Sequence, residues 1–291
     1  MSLLDVQNNF SNFSNSVGVT DICISTNDVP VRGLASIDDE LFVLLHRSIN
    51  QIAVYSASNY KLLRHLHLPG FKPNVCSDMT SCVRYKCLYI SDPRNNCIQK
   101  FDLSSDFGAR IRWFVGRHIS KWSVPGSPRG LSLTPSSLLV TCRGQTSKLV
   151  QLSGNSGRCL REITLQPDIV YPRHAVQLAT GQFAVCHGIG IDLHRVCVVD
   201  TEGKVTRSYG GRRGSAVGEL DCPRHLAVDT DSQFIYVAEI NNNRVVMLSP
   251  TLEFVRDFGE DLSQPYRLHV HPPTGRLYVG QLLGGVSAIQ L

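Results

Sequence analysis

The feature that most constrains this sequence is a repeat of short apolar segments. Six runs of β-type composition end at positions 43, 90, 140, 185, 237 and 279, so their spacings are 47, 50, 45, 52 and 42 residues. A period of about 40–50 residues built from short strands is typical of a β-propeller, in which each repeat forms one blade. Because no helical period is sustained along the chain, the repeat predicts an all-β fold.

Each repeat has the same internal order. A proline and a basic residue open most copies, and proline is tolerated at the start of a strand. The openings are Pro30-Val31-Arg32, Pro128-Arg129, Pro172-Arg173, Pro223-Arg224 and Pro265-Tyr266-Arg267, with a degenerate copy at residues 72–75. The apolar run is the second strand, a polar turn and a third strand follow, and a fourth strand ends near glycine, as at residues 112–116 and 255–259. The order predicts four-stranded antiparallel blades.

The sixth copy stops after its third strand, residues 286–291. Residues 17–24 alternate apolar and polar side chains and have no other place in the repeat. We therefore expect them to form the missing outer strand of the last blade, which would remove an open sheet edge. The prediction is a six-bladed β-propeller over residues 17–291, closed by its N-terminal strand, after a flexible lead of residues 1–16.

Composition narrows the class of protein. The chain is 42% hydrophobic and 18% charged, and it shows neither a signal-peptide pattern nor an apolar stretch of membrane-spanning length. The ten cysteines form no C-x-x-C pair, and some lie in apolar strands, such as Cys142 and Cys197. This usage indicates free, buried thiols in a reducing compartment. We expect a cytoplasmic monomer with no membrane partner.

Two segments carry a resemblance to a known family. Residues 223–259, which include Pro-Arg-His-Leu-Ala-Val-Asp and Val-Ala-Glu-Ile-Asn-Asn-Asn-Arg-Val-Val, resemble an NHL repeat, and residues 88–102 are a second match. The resemblance covers residues 17–291 and implies a six-bladed propeller like the C-terminal domain of TRIM-NHL proteins. The 16-residue lead has no Cys or His for a RING domain, so ubiquitin ligase activity is not expected from this chain.

The predicted meander places arginines at one mouth of the central channel. The start of the first strand and the turn between the second and third strands lie at the same end of a blade, because successive strands reverse direction. Of the 29 basic residues 22 are Arg, whose planar group suits bidentate recognition of anions. The residues expected on this basic face are Arg32, Arg94, Arg129, Arg143, Arg173, Arg195, Arg224, Arg244 and Arg267, with Trp122 and Tyr171 nearby.

A basic face of this kind favours a non-catalytic binding module. The first hypothesis is a protein-interaction scaffold whose partner carries acidic groups. The alternative is single-stranded RNA, which arginine and aromatic planes can bind and which some TRIM-NHL propellers bind on the corresponding face. For any single arginine, an ion pair with a carboxylate of the neighbouring blade is the competing interpretation.

An enzyme is the third hypothesis, and the sequence gives it little support. His174 and His225 occupy matching positions in adjacent repeats and are weak metal candidates, because a catalytic zinc needs about three converging ligands. The matching positions elsewhere include Gly33 and Gly130. The sequence contains neither a phosphate-binding loop nor a Gly-x-Ser-x-Gly motif. We therefore expect no cofactor and no catalytic residue.

Overall fold

The structure is a computed structural model that describes residues 19–46, 51–68, 70–72, 74–103, 113–115, 117–190, 192–259 and 261–291. These residues form six sheets, one for each blade. Blade one comprises β2 (Val31–Ile37), β3 (Glu40–Leu45), β4 (Gln51–Ser56) and β5 (Leu62–His67), joined by β9 (Trp113–Val115). Blade two comprises β6 (Met79–Cys82), β7 (Cys87–Asp92), β8 (Cys97–Asp102) and β10 (Arg117–Ser123). Blade three comprises β11 (Ser127–Leu133), β12 (Leu138–Arg143), β13 (Lys148–Leu152) and β14 (Cys159–Thr164).

The second half of the chain repeats the same arrangement. Blade four comprises β15 (His174–Gln177), β16 (Phe183–Ile189), β17 (Asp192–Val199) and β18 (Val205–Arg212). Blade five comprises β19 (Pro223–Val228), β20 (Ile235–Glu239), β21 (Arg244–Leu248) and β22 (Phe254–Phe258). Blade six comprises β23 (Pro265–His271), β24 (Arg276–Gln281), β25 (Val286–Gln290) and β1 (Val19–Ile24).

The blades close into a ring through their first strands. Strand β2 contacts both β6 and β23, and the contacts continue from β6 to β11, β15, β19 and back to β23. These first strands therefore line the central channel. Asn96 and Asn243 occupy equivalent turns with φ of 48° and 53°, a left-handed conformation that asparagine tolerates better than most residues. The predicted six-bladed, four-stranded propeller is confirmed.

The predicted closure is also confirmed. Strand β1 runs antiparallel to β25, with Val19 opposite Ile289 and Thr20 opposite Ala288. The Cys23 thiol donates a hydrogen bond to the Val286 carbonyl oxygen at 3.0 Å. Residues 1–18, which include the predicted lead and the first two residues of the predicted strand, lie outside the described residues.

Blade two departs from the sequence prediction. Residues 112–116 were expected to form its fourth strand, but β9 pairs in parallel with β5 of blade one, with His65 opposite Trp113. The fourth strand of blade two is β10, whose Trp122 lies opposite Ile98 of β8. Arg117 and Lys121 therefore lie in this strand. The repeat spacing did not reveal this because two strand-like segments follow one another here.

The apolar core lies between neighbouring blades. Between blades one and two, for example, Phe42, Leu88 and Phe101 are fully buried in one cluster. The rings of Phe71 and Phe101 meet edge to face with centroids 6.3 Å apart. All ten cysteines are free and six of them are buried, as the sequence predicts. No helix in the described part of the chain has the length and apolar character needed to cross a membrane.

Candidate functional site

The register of the first strands identifies equivalent positions around the channel. Arg267 lies opposite Gly280 and His225 opposite Ala238, and both partners directly follow the apolar run of their blade. The residue that matches Arg224 is therefore Tyr266, not Arg267. The prediction that Arg267 belongs to the ring at the mouth is wrong, because one extra residue separates it from the proline that opens its blade.

The next position along each first strand forms a deeper layer of the channel. One residue from each blade occupies it: Gly33, Asp78, Gly130, His174, His225 and Arg267. Asp78 belongs here because its carbonyl oxygen accepts a hydrogen bond from the nitrogen of Ser91, which follows the apolar run of blade two. Asp78 was not among the predicted residues, because blade two lacks the Pro-Arg opening from which the other positions were counted.

Asp78 and Arg267 form a buried ion pair in this layer. Arg267 Nε lies 3.0 Å from Asp78 Oδ1, and both side chains are almost fully buried. The backbone nitrogen of Leu131 donates to Asp78 Oδ2 at 2.8 Å, and His225 Nε2 lies 3.4 Å from the same oxygen. Burial alone would raise the pKa of Asp78, but the Arg267 charge, together with the contacts of His225 and His174, outweighs burial and holds the pKa well below its usual range. Asp78 is therefore ionised at neutral pH.

The guanidinium of Arg267 also closes the channel by bonding to neighbouring blades. It donates to the carbonyl oxygens of Arg32 at 2.7 Å, Ser77 at 2.8 Å and Tyr266 at 3.3 Å. These bonds tie blade six to blades one and two. The positive charge of Arg267 is thus both paired and hydrogen-bonded, as a buried charge requires.

The two histidines are held as neutral hydrogen-bonding groups. Their rings stack with centroids 3.7 Å apart. His174 Nδ1 accepts from the nitrogen of Leu226 at 3.4 Å, and His225 Nδ1 accepts from the nitrogen of Leu268 at 3.3 Å. A neutral imidazole has one donor and one acceptor, so the proton of each ring resides on Nε2. Burial lowers the pKa of His174 to about 3 and also lowers that of His225.

This hydrogen bonding bears on the metal hypothesis. Ligand atoms of Asp78, His174 and His225 lie within 4.8 Å of one another, which is the spacing of a metal triad. However, the Nδ1 lone pairs accept backbone hydrogen bonds, His174 Nε2 faces the Leu131 carbonyl oxygen at 3.0 Å, and the Arg267 cation adjoins the carboxylate. The donor set therefore fits a network between blades better than a cation.

Two further predicted arginines are paired with carboxylates. Arg195 lies within β17, not in a turn; it is ion-paired with Asp168 and donates to His187 Nε2 at 2.7 Å. Arg244 Nε lies 2.6 Å from Glu239 Oε2, and Arg244 Nη1 lies 2.9 Å from Asp257 Oδ2. Pairing with carboxylates, the competing interpretation from the sequence, holds for Arg195, Arg244 and Arg267. The partners of Arg244 lie in its own blade, however, and Asp78 lies in blade two, across the channel from Arg267, so neither pair joins neighbouring blades as that interpretation expected.

The two predicted aromatic residues have different positions. Trp122 is buried between blades two and three, where its ring lies 5.7 Å from that of Tyr89 and leaves no room for a side chain on Gly157. Trp122 therefore does not belong to the predicted basic face, because β10 packs it into the core. Tyr171 is half-buried, with the Arg143 guanidinium 4.1 Å above its ring, and both residues line a cavity of about 360 Å³.

Four predicted arginines form the feature that we call the arginine cluster: Arg32, Arg129, Arg173 and Arg224. Within the described residues none of them has a carboxylate within 4.0 Å. They belong to blades one, three, four and five and occupy equivalent positions at the channel mouth. Arg94 is exposed in the turn between β7 and β8 and likewise has no ion pair with a described residue.

Tyr266 occupies the equivalent position in blade six and contacts two members of the arginine cluster. The guanidinium groups of Arg32 and Arg224 lie 4.9 and 4.6 Å from the centre of its ring. The Tyr266 hydroxyl donates to the carbonyl oxygen of Val75 at 2.7 Å and accepts from Arg224. Stacking on an aromatic face holds a guanidinium without using its N–H donors. Arg32 Nε and Arg129 Nε are in fact buried with no hydrogen-bond partner in the described structure.

The pKa shifts of two neighbouring groups, the Cys76 thiol and the Tyr266 hydroxyl, indicate a positive potential at the arginine cluster. Burial raises the pKa of the Cys76 thiol, but the charges of Arg224, Arg129 and Arg173 outweigh it, so that the pKa is lowered. Burial likewise raises the pKa of Tyr266, yet the adjacent arginines, Arg224 first, lower it overall. Both groups, the half-buried Cys76 and the buried Tyr266, are shifted toward their anionic forms, which indicates positive charge that no carboxylate of the described residues balances.

The other end of the channel is different in character. Below the layer of Asp78 and Arg267 lies a cavity of about 630 Å³ with the stacked histidines at one end. Its walls include Leu34, Met79 and Leu226, and it opens on the face opposite the arginine cluster. The buried layer therefore separates a charged mouth from a largely apolar one.

Comparison with known proteins identifies the architecture. No family model and no curated protein matches the chain. A protein of unknown function from Bacteroides caccae has a TM-score of 0.60 and 14% identity, and the match covers 83% of this chain and 82% of that one. A catalytically inactive virginiamycin B lyase from Staphylococcus aureus with quinupristin has a TM-score of 0.62 and 12% identity over 94% of this chain and 99% of that one. A streptogramin B lyase matches with a TM-score of 0.62 and 12% identity over 93% and 96%. At these identities the likeness establishes the fold: the chain is a six-bladed β-propeller similar to these structures.

Proposed function

We propose that this protein is a non-catalytic binding module, an NHL-type propeller that holds the acidic groups of a protein partner on its arginine face. The carrying observation is the arginine cluster, whose four side chains have no carboxylate partner among the described residues. Arg195, Arg244 and Arg267 do have such partners. The contrast supports a site in which the ligand supplies the counter-charge.

The free-energy cost of keeping these arginines unpaired supports the same proposal. A buried or half-buried cation without a partner destabilises a fold, and neighbouring like charges add to the cost. Burial and the charge of Arg224 lower the pKa of Arg173, which is the effect of such crowding. Binding sites commonly keep charges of this kind because an anionic ligand relieves the repulsion.

The depth of the arginine cluster favours a protein partner over RNA. Arg32 is 9% exposed and Tyr266 is 3% exposed, so the centre of the face lies buried within the channel mouth, a position that we call the recess. An acidic side chain can enter a recess, whereas an RNA backbone tracks an open groove with its phosphates spaced along it. Single-stranded RNA is the competing ligand and is one arm of the test.

The test uses fluorescence anisotropy with a labelled glutamate-rich peptide and a labelled mixed-sequence RNA. The double variant Arg129→Gln with Arg173→Gln should weaken peptide binding by about tenfold or more, since buried charge contacts are lost. A matched double variant on the opposite face, Arg84→Gln with Arg158→Gln, removes the same charge and should have little effect. Failure of the folded protein to bind the peptide at low salt would reject the proposal, and binding of RNA alone would establish the competing ligand.

The enzyme hypothesis has a separate test. A channel-metal enzyme requires stoichiometric zinc or calcium in the purified protein, which elemental analysis measures. The hydrogen bonds at His174 and His225 lead us to expect neither metal. Stoichiometric metal that is lost in Asp78→Asn would overturn this expectation.

A further inference from the structure

We propose that the arginine cluster is a phosphate-monoester site that binds a phosphorylated side chain of the partner protein. This inference rests on the proposed function and specifies the chemistry of the group that the recess accepts. Three observations carry it: the charge of the recess, its unused donors and its closed floor.

The charge of the recess calls for more than one negative charge. Arg267 is balanced by Asp78, so the four guanidinium groups of the arginine cluster remain without a described counter-ion. A carboxylate contributes one negative charge, whereas a phosphate monoester carries about −1.5 to −2 at pH 7. A single phosphorylated side chain therefore compensates more of the cluster than any glutamate or aspartate.

The arrangement of guanidinium N–H groups that have no acceptor also favours a phosphate. The arginines approach the channel axis from four blades, and Arg32 Nε and Arg129 Nε are buried without acceptors. Tyr266 contacts the Arg32 guanidinium through its ring, and Arg32 Nε remains without an acceptor. A planar carboxylate accepts one or two guanidinium forks, while a tetrahedral phosphate has three terminal oxygens that accept from several directions.

The closed floor restricts the site to a compact group. The pair of Asp78 and Arg267 blocks the channel directly beneath the mouth, and Tyr266 is anchored to Val75 across it. A phosphodiester within a nucleic-acid chain carries one charge and is flanked by sugars on both sides. A terminal phosphate on a side chain presents its oxygens at the tip, which suits a closed recess.

The experiment compares three labelled peptides of one acidic sequence whose central residue is serine, glutamate or phosphoserine. We expect the phosphoserine peptide to bind at least about tenfold more tightly than the glutamate peptide. Inorganic phosphate should compete with it and should also raise the melting temperature more than chloride at equal ionic strength. Arg129→Gln with Arg173→Gln should abolish the preference, and Arg84→Gln with Arg158→Gln should retain it.

The outcomes separate this inference from the proposed function. Equal affinity for the glutamate and phosphoserine peptides would overturn the inference and leave the binding module intact. Failure of all three peptides to bind would reject both. Should the double variant not fold, single Arg129→Gln removes a side chain that makes no hydrogen bond to the described protein, and it should still reduce the preference severalfold.

Discussion

Replacing Asp78 by asparagine tests the central layer of the propeller. The substitution keeps the size of the side chain and an oxygen that can accept from Leu131, but it removes the only carboxylate within 4.0 Å of Arg267 among the described residues. The guanidinium then remains buried without a counter-ion. The introduced amide is not charged at any pH, so the loss should be present throughout the neutral range.

The expected loss in unfolding free energy follows from the burial of the ion pair. Asp78 is 0% and Arg267 2% exposed, so solvent does not screen the pair. Breaking a buried pair by removing one partner costs about 3–5 kcal/mol. Arg267 retains bonds to three carbonyl oxygens, which favours the lower end of that range. At about 2–4 °C for each kcal/mol in a chain of this size, the melting temperature should fall by roughly 6–15 °C.

The assay is equilibrium urea denaturation with a double-mutant cycle. Asp78→Asn, Arg267→Gln and their combination are compared with Asp231→Asn, which removes an exposed carboxylate and should change the unfolding free energy by less than about 0.5 kcal/mol. The double variant should be less destabilised than the sum of the single variants by about 1–3 kcal/mol. Additive effects, or an Asp78→Asn protein as stable as the parent, would refute the ion-pair interpretation.

Three further predictions concern the fold. Burial lowers the pKa of His174 and of His269 to about 3 from 6.5. Below pH 6.5 the unfolded chain therefore binds protons that the folded chain does not. Each of the two histidines should lower the unfolding free energy by about 2 kcal/mol at pH 5 relative to pH 7.5. Urea midpoints at pH 7.5 and 5 measure this loss, and equal midpoints would contradict it. Gly130→Ala should destabilise by about 1–3 kcal/mol, because its Cβ would lie 2.7 Å from a carbonyl oxygen of blade four, whereas Gly144→Ala meets nothing closer than 3.4 Å. Removal of β1 (Val19–Ile24) should lower the melting temperature and cause self-association by exposing the edge of β25, which size-exclusion chromatography would detect.

The period of the sequence was sufficient to predict the number of blades and their closure. It could not assign β9 and β10, because the sequence between residues 103 and 127 offers two strand-like segments and only pairing decides between them. The same limit misplaced Trp122, whose strand turned out to be the outer strand of blade two, packed against blade three.

The candidate site was predicted only in part. The openings Pro128-Arg129, Pro172-Arg173 and Pro223-Arg224 correctly indicated equivalent arginines around the channel. Which arginines are paired depends on contacts within a blade for Arg244 and across the channel for Arg267, and repeat spacing encodes neither. Asp78 could have been found by counting from the apolar run of its blade instead of from a proline, since that run sets the register of every first strand.

The pairing of β1 with β25 has a consequence for how the molecule reaches its native state. Partners such as Cys23 and Val286 are 263 residues apart in the chain. Such distant pairing slows folding, because the chain between the two strands loses conformational entropy before their contact stabilises the fold. Until β25 has been synthesised, β1 has no strand to pair with, so we expect a partly synthesised chain to expose unpaired sheet edges. We expect nascent chains on neighbouring ribosomes to exchange strand β1 at this stage, so that chaperone occupancy should be greatest just before β25 emerges.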